Sequence, residues 1–174
     1  MPAKQHSSGD TVRRLCLLAL LCAVCMIVGY IESLFELSFI APGVKIGLSN
    51  AVACVLIFYG DIKGAFAVNI SRILLSNLLF GSPVALVFAL AGGILSLAAM
   101  AILSKSRWFS VVGVSIAGGA LHNAAQCAVG MFVTGFGVIY YLPVLLISGM
   151  LCGAAVGTLS ALVLKRIKKG EKYV

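Results

Sequence analysis

Residues 15–35 read LCLLALLCAVCMIVGYIESLF, a stretch of 21 residues whose only carboxylate is Glu32 near its end. An α-helix rises about 1.5 Å per residue, so roughly 20 apolar residues cross a hydrocarbon layer of about 30 Å. This stretch is long enough to do so. Comparable runs recur along the 174 residues, of which 61% are hydrophobic and 10% charged. The runs are continuously apolar rather than alternating. Lipid offers backbone N–H and C=O groups no partner, so runs of this kind form helices and not the strands of a barrel.

The expected fold is therefore all-α, a polytopic membrane protein built as a six-helix bundle. Spans are expected over about 15–35, 46–60, 64–80, 83–103, 110–134 and 138–164. Residues 1–14 then form a polar N-terminal tail, 15–164 one membrane domain, and 165–174 a basic cytoplasmic tail. The first span exceeds the apolar core of a signal peptide, and no small-x-small cleavage site precedes Pro42, so it is expected to be retained.

Cytoplasmic loops carry an excess of Lys and Arg. Of the 13 such residues, Arg72 falls inside a span and Lys45 in a loop on the outer side; all the others fall on the side of the N-terminus. Both termini are thus expected in the cytoplasm and the protein in the plasma membrane. The net charge of +8 is explained by these flanking residues and their contact with anionic lipid, which argues against nucleic acid as a partner. Tyr140 and Tyr141 fall at the outer interface and Trp108 at the inner one. Pro42, Pro83 and Pro143 lie near the outer ends of spans 2, 4 and 6, with Ser82 placed to cap the helix that Pro83 begins.

The six cysteines all lie in apolar spans, where they behave as small hydrophobes. Cys22 and Cys25 form a C-x-x-C, but without the polar, accessible setting that redox or metal chemistry needs. No metal site and no cofactor is expected.

Ionisable and amide side chains are expensive in the bilayer, about 3 kcal/mol or more for a charge at its centre. Arg72 lies midway along span 3, with Asn69 and Ser76 on the same face and Asn77 next to it. His122, Asn123 and Gln126 crowd the middle of span 5, and Glu32 and Glu36 are one turn apart near the outer end of span 1. Interhelical hydrogen bonding accounts for such groups in many bundles. Here they are confined to the midplane and outer half, which favours a cavity open to the exterior. By contrast, Gly149, Gly153 and Gly157 form a doubled G-x-x-x-G that reads as close helix packing.

Span 2 is short, and the apolar residues before it are interrupted in APGVKIGLSN, residues 41–50. Interrupted segments often line transporter sites. Lys45, Asn50 and the free N–H groups of the helix start are accordingly expected to face an anionic or polar guest, unless Lys45 only snorkels to the interface. Arg72 either pairs with Glu32 or Glu36 or clamps a carboxylate or phosphate.

APGVKIGLSN, SRILLSNLLFGS, ALAGGILSLAAMAIL, VGVSIAGGALHNAAQ and YYLPVLLISGMLCG follow one another with short loops. Over about residues 15–165 the chain resembles the Gx transporter family, also labelled heptaprenyl diphosphate synthase component I. That family is similar to the S components of energy-coupling-factor (ECF) transporters. The resemblance implies a six-helix subunit that binds a vitamin or cofactor precursor and works with a T component and two ATPases. A small-residue face on the first helix then meets the T component, and Ala19 and Ala23 supply that face.

The alternative label implies a non-catalytic membrane accessory of isoprenoid or quinone synthesis. A prenyl diphosphate synthase gathers carboxylates around Mg²⁺, whereas the only acids here are Asp10, Glu32, Glu36, Asp61 and Glu171. No catalytic residue is expected. There is also no G-x-x-x-x-G-K-[ST] loop, so ATP-driven uptake would draw on separate ATPases. A proton-coupled carrier ranks third, for want of a polar inner half.

Overall fold

The structure, a computed structural model, describes residues 8–34 and 47–171. It contains six α-helices: α1 (Ser8–Leu34), α2 (Ser49–Tyr59), α3 (Ile62–Phe80), α4 (Pro83–Leu103), α5 (Val111–Thr134) and α6 (Leu142–Glu171). A 3-10 turn, Phe136–Tyr141, leads into α6. No strand occurs among the described residues.

Among the described residues, four segments are long and apolar enough to cross a membrane: Gly9–Glu32, Ile62–Phe80, Pro83–Leu103 and Phe136–Lys169. Helix α5 has the length at 24 residues, but His122, Asn123 and Gln126 near its middle lower its hydropathy. Helix α2 is too short, at 11 residues and about 16 Å. Large apolar side chains such as Leu15, Leu20, Ile27, Leu78, Ile102 and Leu151 cover the exterior, as suits contact with acyl chains.

Both presumed tails are partly helical. Helix α1 begins at Ser8, with Asp10 in its first turn, and α6 runs on to Glu171 with Lys168 and Lys169 in its last. These charges oppose the helix dipole and extend each helix beyond its apolar part. Ser82 caps α4 as expected, its hydroxyl accepting the Ala85 N–H at 3.1 Å ahead of Pro83. Ser110 caps α5 in the same way through the Gly113 N–H.

Helix α2 ends at Gly60 in the left-handed region (φ 98°), a conformation that favours glycine, and the chain turns at once into α3. Asp61 caps α3, accepting the Gly64 N–H at 2.9 Å. Its carboxylate also takes two bonds from Arg14, 2.7 Å from Nη2 and 3.3 Å from Nε, which tie α1 to the α2–α3 turn.

The doubled G-x-x-x-G forms a close contact as expected. A Cβ on Gly153 would meet the Ser115 carbonyl, one on Gly149 the Gly119 carbonyl, and one on Gly157 the Val112 Cα, so α5 and α6 pack backbone to backbone.

Short as it is, α2 packs against all five other helices and occupies the bundle axis. Around it Cys22, Cys25, Val68, Leu97 and Val114 form an apolar core with its own Leu56. Its first turn lies at mid-depth. Cys25 of α1 donates to the Ser49 carbonyl (3.5 Å), Arg72 of α3 reaches the Ser49 hydroxyl (3.0 Å), and Ser160 Oγ of α6 lies 3.3 Å from the Ala51 carbonyl oxygen. An axial helix that fills only one half of the bundle leaves the other half to whatever the surrounding helices enclose.

Candidate functional site

What they enclose is a cavity of about 840 Å³, within the range of small-molecule sites. It extends from the α3–α4 turn at Gly81 and Ser82, past Ser49 and Asn50 at the start of α2, to Met100 of α4, Ser115 of α5 and Val156 of α6. Tyr30 and Phe80, ring centroids 5.4 Å apart, join α1 to α3 beside the turn.

Arg72 stands where the cavity meets α2. Nη1 donates to the Ser49 hydroxyl at 3.0 Å; Nη2 donates to Asn69 Oδ1 at 3.0 Å and to Asn50 Oδ1 at 3.3 Å. All three acceptors are neutral. Among the described residues the ion pair within 4 Å is Arg14–Asp61, and no carboxylate pairs with Arg72. Glu32 lines the cavity, but its Oε1 accepts the Leu48 N–H at 2.7 Å. It therefore caps α2 from outside, where its negative charge suits the helix N-terminus, and acts on the guanidinium only through space.

That cap corrects one expectation. The start of α2 is not an open row of donors: the Asn50 and Ala51 N–H groups bond to Gly47 and Leu48 carbonyls, and Glu32 takes the Leu48 N–H. Gly47 (φ 77°) permits the tight turn that brings these groups together. Lys45 and Glu36 lie outside the described residues.

The other wall is α5. Here His122, Asn123 and Gln126 all line the cavity, but not in one capacity. Asn123 Nδ2 donates to the Leu145 carbonyl at 2.6 Å and approaches Ser148 Oγ at 3.4 Å, so its amide holds α6. Asn77, also in the wall, donates to the Ile73 carbonyl of its own helix at 2.8 Å. Seven of the eight side chains singled out for binding thus share one cavity, with the donors of Asn77 and Asn123 already committed.

Gly92 and Gly93 of α4 let both walls come close. A Cβ on Gly93 would meet Ile73 and Asn69 of α3, and one on Gly92 would meet the His122 ring of α5. Asn69 Nδ2 also lies 3.4 Å from the Gly93 carbonyl. A polar layer consequently crosses the bundle at mid-depth, from Arg72 through Asn69 and the glycine pair to His122. Ser96, one turn beyond Gly92, and Met100 add to the lining; nothing in a strongly apolar helix distinguishes them from ordinary packing residues. Ala19 and Ala23 lie on the exposed face of α1.

These features define a helical membrane protein with an internal, polar-walled cavity. The chain matches the heptaprenyl diphosphate synthase component I family over residues 21–163 and belongs to it. No curated protein and no solved structure matches the chain.

Proposed function

We propose that the protein is a membrane-embedded binding subunit that captures a small anionic solute in the cavity, as the S component of an ECF-type uptake transporter. The observation that carries this is Arg72, a cation inside the bundle, held by neutral oxygens and unpaired with any described carboxylate. A guanidinium presents five N–H donors, and three contacts within the chain leave capacity for a guest. In a low-dielectric site an anionic guest pairs with the guanidinium directly, which Glu32 does not, in a fork geometry suited to carboxylate or phosphate.

Under this proposal all six helices are embedded, both termini are cytoplasmic in the plasma membrane, and the α3–α4 end of the cavity faces outward. A T component and two ATPases supply the energy, with Ala19 and Ala23 at the docking face. The subunit itself is not an enzyme.

The family name favours a second role, a non-catalytic membrane component beside a prenyl diphosphate synthase. The composition of complexes purified in mild detergent separates the two. A T component with ATPases supports uptake, and a prenyl synthase as the sole protein partner supports the accessory role. Anion capture is tested directly by Arg72→Ala: a variant that retains its small molecule as wild type does would refute the clamp.

A further inference from the structure

Two polar side chains in the cavity wall have no hydrogen-bond partner among the described residues. Gln126 lines the cavity, and no hydrogen bond joins its amide to the rest of the described structure. One turn earlier on α5, His122 Nδ1 is buried without an acceptable partner. The Gly92 carbonyl is close to it. However, a Cβ on Gly92 would stand 2.9–3.0 Å from Cε1, Nδ1 and Nε2 alike, so the ring meets α4 with its face.

Their neighbour Asn123 shows what interhelical bonding looks like on this helix, with its amide 2.6 Å from the Leu145 carbonyl. His122 and Gln126 do no such work. They share one face of α5 at i and i+4 and stand on a different wall from Arg72, since α3 and α5 each pack on α4 and not on each other.

We infer that His122 and Gln126 form a second recognition edge, which reads a neutral hydrogen-bonding group, an amide or hydroxyl, on the same guest whose anionic end Arg72 holds. Water can reach the Gln126 amide until a guest enters, whereas His122 Nδ1 is closed off from it. A guest that displaces it must replace its hydrogen bonds or lose affinity, and a hydrocarbon body would leave imidazole and amide unmatched. The guest is accordingly polar along its length and not a prenyl diphosphate. This rests on the anion-binding role of Arg72 and deepens it.

The test follows the melting temperature of the full chain in detergent with four anionic probes. Geranyl diphosphate and octanoate carry hydrocarbon bodies; pantothenate and flavin mononucleotide carry amide and hydroxyl groups. At least one of the latter pair is expected to raise the wild-type melting temperature by about 3 °C or more. In His122→Phe/Gln126→Leu that shift is lost while the probe-free melting temperature does not fall. If the double variant does not fold, Gln126→Leu alone, which breaks no bond within the chain, replaces it and should at least halve the shift. A larger shift with either hydrocarbon-bodied probe, or a variant that responds as wild type does, overturns the second edge. An Arg72→Ala protein that keeps the full shift overturns the anion clamp instead, and a wild type that responds to none of the four overturns both.

Discussion

Arg72 Nη1 donates to the Ser49 hydroxyl across 3.0 Å, which fixes the middle of α3 to the first residue of α2. A serine at a helix start usually turns its hydroxyl to the backbone. Here it serves a cation, and Glu32 supplies the cap from another helix at 2.7 Å from the Leu48 N–H. Arg72→Lys should therefore weaken retention of an anionic guest by about tenfold or more, because one ammonium cannot reproduce the fork. Native mass spectrometry of the purified variants measures the occupancy.

Asn123→Leu should lower stability by about 0.5–2 kcal/mol, the range for a hydrogen bond between membrane helices, since its amide alone among the α5 cavity residues bonds to α6. Denaturant titration in micelles is the measurement.

Glycine substitutions should split by what a Cβ would meet. At Gly153 it would stand 2.5 Å from the Ser115 carbonyl oxygen and 2.8 Å from the Ile116 Cα, backbone that cannot step aside. Gly153→Ala is expected to cost about 2 kcal/mol or more. Nothing lies within 4 Å of a Cβ at Gly29, so Gly29→Ala should be neutral or gain up to about 1 kcal/mol from helix propensity. Equal melting temperatures for the two variants would contradict the packing of α5 on α6.

Acid should release the tie between α1 and the α2–α3 turn. Partial burial raises the Asp61 pKa, but the Gly64 N–H and the Arg14 guanidinium outweigh it and hold the carboxyl below its ordinary value. A depressed folded pKa stabilises the protein above the unfolded value, near 4, and that contribution disappears as pH falls through the folded value. Asp61→Asn keeps a capping side chain but not the charge. Its melting temperature should fall below that of wild type at pH 7 and converge with it in strong acid.

Bulk at the α1 face tests the partner. Ala19→Trp together with Ala23→Trp, both on the exposed side of α1, should abolish co-purification of a T component without changing the melting shift produced by a cavity-binding probe.

Much of this was legible in the chain. Arg72, His122 and Gln126 stood out because polarity is costly in lipid, and helical spacing placed Asn69 beside Arg72. The capacities of neighbouring residues were not legible: Asn123 and Gln126 look alike in the sequence, yet one bonds to α6 and the other to nothing among the described residues. Likewise the start of α2 reads as an anion cradle until Glu32, distant in sequence, is found capping it.

Length and hydropathy alone determined that the chain forms apolar helices, since lipid supplies no partner for an open backbone. Only the tertiary structure decided where the space lies. Helix α2 takes the axis of the bundle but spans half its depth, so the surrounding helices enclose a cavity beyond its first turn that continues beside it to Met100 and Ser115. That outcome depends on contacts between helices far apart in the chain, which no local pattern records.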